Sequence, residues 1–213
     1  MDSKQSYIKQ VYNSRLNMIE YLKDMTFDCS EYENFSIEEI EVMKNHGQLD
    51  FKVTKESGDA CYVMYKLDSN LKQNMVKKNN IETFINEIFE DNIPIEKNDT
   101  LVIITTEYSQ DSIHKIIKNI WENEQKYVVI FTLANLQYNI LKHSFVPKHI
   151  KLTDEEKAEF YKKYNIENES LVPEISRFDA VAKIIFLRPG DVCRIERYDK
   201  ISFKNDFYRV CVS

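Results

Sequence analysis

Asp50 and Lys66 are the residues whose types could begin a hydrolytic site. An aspartate on one strand and an acid-x-Lys pair on its neighbour can hold a divalent cation, which activates water against a phosphodiester. Two residues before Lys66, however, stands Met64, whose thioether offers a hard cation no oxygen, so cleavage by that route lacks a ligand. His143 and His149 could each present a neutral imidazole to a metal. They flank Pro147 with neither a Cys pair nor a His-x-x-x-His spacing nearby, and no metal is expected there. Gly47, Gly58 and Gly190 lie too far apart to form a phosphate-cradling loop. No Gly-x-Ser-x-Gly elbow occurs, and Cys29, Cys61, Cys193 and Cys211 form no Cys-x-x-Cys pair, so they read as reduced packing residues. The inventory predicts no catalytic residue, no metal and no cofactor.

The elements that would carry these residues fall into two groups. Ile8, Val11, Tyr12, Leu16, Ile19, Leu22 and Met25 step by three and four, which predicts an amphipathic first helix. Ser36 with Glu39 is a capping box for a second helix ending near Gly47. Leu49 to Thr54 and Ala60 to Leu67 read as a hairpin turning at Gly58. Ile81, Phe84, Ile85, Ile88 and Phe89 predict a further helix. The apolar runs Leu101 to Ile104 and Tyr127 to Phe131 enclose a helix bearing Ile113, Ile116, Ile117 and Ile120, a β-α-β unit with a right-handed crossover. The first domain is therefore expected to be α/β with a mixed sheet.

The pattern breaks near Leu141 to Pro147. Thr153 with Glu156 then caps a helix expected to bury Ala158, Tyr161 and Tyr164. An apolar segment follows at Val181 to Leu187, and Pro189-Gly190 turns into a strand at Asp191 to Arg197, with Phe207 to Val212 as its antiparallel partner. This reads as a compact α+β module. The expected domains are 1–142 and 143–213.

Charge separates the two parts. Residues 1–142 carry 16 Lys and Arg against 23 Asp and Glu, whereas residues 143–213 carry 13 against 12. A free-standing nucleic-acid binder gathers phosphates on a basic surface, so the acidic first part argues against autonomous DNA binding. Arg177, Arg188, Arg194, Arg197 and Arg209 are five of the six arginines. Their planar forks suit interfaces, which makes the tail a docking candidate; the alternative is a solvated arginine face. No apolar run reaches the roughly 20 residues that span a bilayer, and the N-terminus is polar, so an intracellular protein without a membrane partner is expected.

The ordered residues His143-Ser-Phe-Val-Pro147-Lys-His149-Ile-Lys-Leu-Thr, Pro173-Glu-Ile175, Asp179-Ala-Val181-Ala182, Gly190-Asp-Val192, Ile195, Arg197 and Tyr208-Arg209 closely resemble one family. It is the fifth common subunit of eukaryotic nuclear RNA polymerases, whose C-terminal part alone makes up the archaeal counterpart. The resemblance implies a non-catalytic subunit of a DNA-dependent RNA polymerase. Its C-terminal assembly module would dock on the largest subunit and meet other polymerase subunits. Its N-terminal jaw, of inactive nuclease-like fold, would approach downstream DNA only within the complex. His143, Pro147 and His149 would form the linker motif, while Asp179, Val181, Ala182, Gly190, Arg197, Tyr208 and Arg209 would shape or present the docking module.

The chain also departs from that pattern. Glu174 stands where the family usually has arginine, Ala180 where it has proline, and Phe186 where it has glycine, and the polar loop before the last strand becomes Asp199-Lys-Ile-Ser-Phe203. Such drift over a retained framework points to a fast-evolving polymerase such as that of a large DNA virus. Location would then be a cytoplasmic factory or virion, and the nucleus for a cellular version. Two other readings stand beside this one: a nuclease-fold enzyme, and a free DNA-binding adaptor.

Overall fold

The computed structural model describes residues 3–67, 98–108, 110–200 and 203–213, and the chain falls into two compact units, Met1–Tyr138 and Asn139–Ser213. The first opens with α1 (Ser3–Asp24). Ile8, Val11, Ile19 and Leu22 are buried on it as the spacing predicts, but Leu16 is 44% exposed and Met25 lies past its end. Stepping by four from 8 through 12 to 16 rotates about 40° per step away from the face, at about 100° per residue. Arg15, Met18 and Tyr21 fill the buried stripe instead.

α2 (Ile37–Asn45) begins at the predicted capping box: the Glu39 N–H donates to Ser36 Oγ at 3.2 Å and the Ser36 N–H to Glu39 Oε2 at 2.7 Å. β1 (Phe51–Thr54) and β2 (Ala60–Lys66) pair antiparallel across a turn in which Gly58 takes φ +94°, a conformation that favours glycine. β3 (Thr100–Thr105), α3 (Gln110–Glu124) and β4 (Tyr127–Thr132) follow, and β2-β3 and β3-β4 are both parallel. The sheet order is β1-β2-β3-β4, mixed as predicted. β3 is buried along its whole length and β4 up to Thr132, which explains the continuous apolar runs in the sequence. The helix predicted around Ile81 to Phe89 lies outside the described residues.

The second unit contains β5 (Lys148–Lys151), α4 (Asp154–Lys163), β6 (Glu174–Ser176), α5 (Ala180–Ile184), β7 (Val192–Asp199) and β8 (Phe203–Val212). Its sheet runs β5-β7-β8-β6, with β7 and β8 antiparallel from Val192↔Val210 to Asp199↔Phe203. Side chains alternate between faces along a strand, so Cys193, Ile195 and Cys211 pack with Ile175, Ala182 and Leu187 on one face. Val192 and Val210 pack with Leu152, Phe160 and Val172 on the other. The short strands β5 and β6 are additions that too few residues announce in the sequence. The predicted face of α4 is corrected: Phe160 is the buried residue, Tyr161 is half-buried, Ala158 is exposed and Tyr164 is 53% exposed. The reason is tertiary, since Phe160 stacks on Tyr208 of β8 with ring centroids 4.2 Å apart.

Candidate docking surface

The residues that could have begun chemistry are built into the frame of the first unit. Asp50 Oδ1 accepts the Tyr65 N–H at 2.6 Å, fastening the start of β1 to the end of β2. Partial desolvation raises the Asp50 carboxyl above its ordinary range, opposed by that hydrogen bond and by the charges of Lys66 and Arg15. Among the described residues, no three His, Cys, Asp or Glu side chains are grouped to hold a metal. All four cysteines are buried free thiols. Burial pushes Cys29 and Cys193 up to about 11 and Cys211 up to about 12, so they stay protonated at neutral pH and behave as packing groups.

The sequence reading misses Arg15. It is 2% exposed, its Nη1 donates to the Leu49 carbonyl at 2.7 Å, and its guanidinium sits 4.6 Å from the Phe51 ring centroid, 5.5 Å from Phe35 and 6.0 Å from Tyr32. Burial lowers its pKa, while Tyr65, Tyr32 and Asp50 oppose that shift. The signal in sequence is its place one residue before the exposed Leu16, seven residues on from Ile8 and four from Val11.

In the second unit, His143 ends a 3-10 turn (Ile140–Lys142) by donating its N–H to the Ile140 carbonyl at 3.1 Å. Its ring lies 5.5 Å from that of Phe145, which is 88% exposed. The Pro147 carbonyl accepts from His149 Nδ1 at 2.7 Å, which leads the chain into β5. Both histidines therefore shape backbone in this structure.

Asp179 is the N-cap of α5: its Oδ1 accepts from the Val181 and Ala182 N–H groups at 2.9 and 3.2 Å. Val181 and Ala182 are buried behind it. Gly190 takes φ +90° in the turn into β7, its N–H donates to the Cys211 carbonyl at 2.9 Å, and its carbonyl accepts Lys157 Nζ at 2.7 Å. A Cβ there would meet nothing within 4 Å, so the backbone angle rather than space is what the position needs.

Arg197, Tyr208 and Arg209 lie on the β7-β8 pair, whereas the other exposed members, His143 and Asp179, have side chains that accept from nearby backbone N–H groups. Arg197 is exposed and lies 4.8 Å from the Phe207 ring centroid. Half-buried Arg209 donates from Nη1 to the Glu174 carbonyl at 2.6 Å. Half-buried Tyr208 stacks on Phe160, with Tyr164 5.9 Å away. Of the ten motif residues, Asp179, Val181, Ala182 and Gly190 cap, fill or turn the module's frame, His143, Pro147 and His149 lie at its entry, and Arg197, Tyr208 and Arg209 lie on the β7-β8 pair.

The departures are explained in part. Phe186 follows the C-cap of α5 at φ +51°, with the Leu187 N–H donating back to the Ala182 carbonyl at 2.9 Å, a helix ending that glycine ordinarily serves. Its ring is buried, and that packing offsets the backbone strain. Ala180 is exposed in the first turn, so losing a proline there opens no core.

The second unit is thus a small mixed α+β module whose motif residues lie in its frame, at its entry and on its β7-β8 pair. The family described as "RNA polymerase Rpb5, C-terminal domain" matches residues 138–211. The Pyrococcus abyssi DNA-directed RNA polymerase subunit Rpo5 is 37% identical over 76 residues, covering 36% of this chain and 92% of that protein. The Dictyostelium discoideum subunit rpabc1 of DNA-directed RNA polymerases I, II, and III is 42% identical over 82 residues. The Caenorhabditis elegans subunit RPABC1 is 38% identical over 82. These two matches cover 38% of this chain and 41% and 38% of the respective relatives, so the matched part spans about two fifths of each eukaryotic length. The chain belongs to the RPABC1/Rpo5-type family of shared RNA polymerase subunits.

Proposed function

We propose that this chain is a non-catalytic subunit of a multisubunit DNA-dependent RNA polymerase, docking on the largest subunit through its C-terminal module. The observation that carries the reading is the family match over residues 138–211, whose motif positions build a frame and a presented surface. The first unit is then the jaw, placed near downstream DNA by its partners. Its acidic balance supports DNA contact only within the assembled complex. The nuclease-fold alternative gains no support from Asp50, which spends an oxygen on the Tyr65 N–H, or from Met64. The departures at Glu174, Ala180, Phe186 and Phe203 support a fast-evolving polymerase of the large-DNA-virus kind, with the complex in a cytoplasmic factory or virion; a cellular version would be nuclear.

The test is co-expression of the tagged full chain with the largest subunit of the polymerase from the same source. The two should co-purify through high-salt washes. Recovery of the tagged chain alone would refute the assignment.

A further inference from the structure

β8 is paired with β7 from Phe203 to Val210, but on its other side β6 covers only Val210 to Val212. The Val210 N–H donates to the Pro173 carbonyl and the Val212 carbonyl accepts the Arg177 N–H, whereas the Cys211 N–H and carbonyl turn towards Asp191 and Gly190. Along a regular strand this alternation continues, so the main-chain groups of Lys204, Asp206 and Tyr208 point away from β7. Among the described residues no strand pairs with them there. Pro173, which has no N–H to donate, marks where pairing with β6 stops.

Natural edge strands are usually short, bulged or covered, because an open row of donors and acceptors is a template for another strand. This one is a projecting arm, and most residues from Phe203 to Phe207 are exposed. Phe203 is 78% exposed and Phe207 44%. Phe203 also adopts φ +57°, a strained conformation for a bulky side chain that exposes its ring without adding to the core. Both rings lie on the same sheet face as Arg197 and Arg209, since Phe207 faces Ile195 and Asn205 faces Arg197 across the pair. Among the described residues neither arginine has a carboxylate partner: Arg197 rests on the Phe207 ring, and Arg209 donates to a backbone carbonyl.

We infer that the open edge of β8 from Lys204 to Tyr208 receives an added β-strand from the polymerase subunit on which the module docks. The strand's alternate side chains would be apolar over Phe203 and Phe207 and acidic towards Arg197 and Arg209. The inference rests on the proposed docking and specifies its mode. Main-chain bonds would supply affinity that any extended segment can use, while the two rings and two guanidinium groups would select an apolar and acidic pattern.

Two measurements on the full chain, free and bound to the co-expressed largest polymerase subunit, test this. In hydrogen exchange, the amides of Lys204, Asp206 and Tyr208 should slow at least tenfold on binding, while those of Asn205 and Phe207, already bonded to β7, change little. Asp206→Pro removes one outward N–H without breaking a β7 bond, and should lower affinity at least tenfold with the melting temperature of the free chain nearly unchanged. Phe207→Pro should instead open the hairpin. A stable wild-type complex with no protection at the three amides, or with Asp206→Pro binding like wild type, overturns strand addition and leaves docking intact. No wild-type complex at all overturns the polymerase reading itself. A concentration-dependent dimer of the free chain, abolished by Asp206→Pro in light scattering, would assign the edge to a second copy and overturn the inference.

Discussion

Arg15 and Arg197 both lie over aromatic rings, one in each unit, with the shortest approaches 4.6 Å and 4.8 Å. Arg15 is sealed under Tyr32, Phe35 and Phe51 and tied to the Leu49 carbonyl; Arg197 is exposed beside a half-covered ring. The same cation–π chemistry serves different ends because of what surrounds it. In a dry site the guanidinium's stacked area and its bond to a carbonyl add to the fold, and removing the group leaves a hole and an orphaned acceptor. On a wet surface the pair contributes little to stability, but it holds an arginine fork outward with its acceptors still to be found.

The largest expected effect breaks this contrast if it fails. Arg15→Ala should destabilise the first unit by about 3 kcal/mol, the combined scale of a core truncation and a lost buried hydrogen bond. Arg197→Ala should cost less than about 0.5 kcal/mol, as surface substitutions do. Urea unfolding of both variants, followed by amide exchange in each unit, reads the difference, and similar losses would show that burial does not separate the two arginines.

Phe186 sharpens the comparison within the second unit. Both Phe186→Ala and Phe186→Gly lose the buried ring, but only glycine relaxes the positive φ. The glycine variant should therefore be the more stable of the two by about 1 kcal/mol in thermal unfolding. An alanine variant as stable as the glycine one would mean that the backbone there carries no strain.

The smallest effect concerns Lys157, which bonds Glu169 at 2.8 Å and the Gly190 carbonyl at 2.7 Å. The hydrogen bond from Lys157 holds the Glu169 carboxyl below its ordinary range. A depressed carboxylate stabilises the fold above its ordinary pKa and loses that contribution as pH falls through the lowered value. Glu169→Gln should cost about 0.5 kcal/mol at neutral pH, the scale of an exposed ion pair, and nothing in strong acid. A gap that persisted at low pH would assign the cost to packing instead.

Much of the fold was legible because its signals are local. The capping boxes at Ser36 and Thr153, the turn at Gly58, the buried runs of β3 and β4, and the β7-β8 pair each follow from neighbouring residues. What escaped depends on partners distant in sequence. Arg15 is a polar residue whose burial requires three rings brought by other elements, and Phe160 displaced Ala158 and Tyr164 from the buried face because Tyr208 stacks on it. The four-residue β5 and three-residue β6 are specified by the edges they join rather than by their own pattern. The candidate site was legible as a motif but not as a division of labour. Asp179 and Gly190 stand in one motif with Arg197 and Arg209, and only the contacts separate a residue that caps or turns the backbone from one that lies on the β7-β8 pair.

If the second unit carries the docking surface, charge reversal there must matter more than charge reversal in the first. A pull-down of the largest polymerase subunit by the full chain, comparing Arg197→Glu and Arg209→Glu with Lys9→Glu at an exposed position of α1, tests this most directly. Reversal at either arginine should lower recovery at least tenfold while Lys9→Glu binds like wild type; equal losses from all three would contradict it.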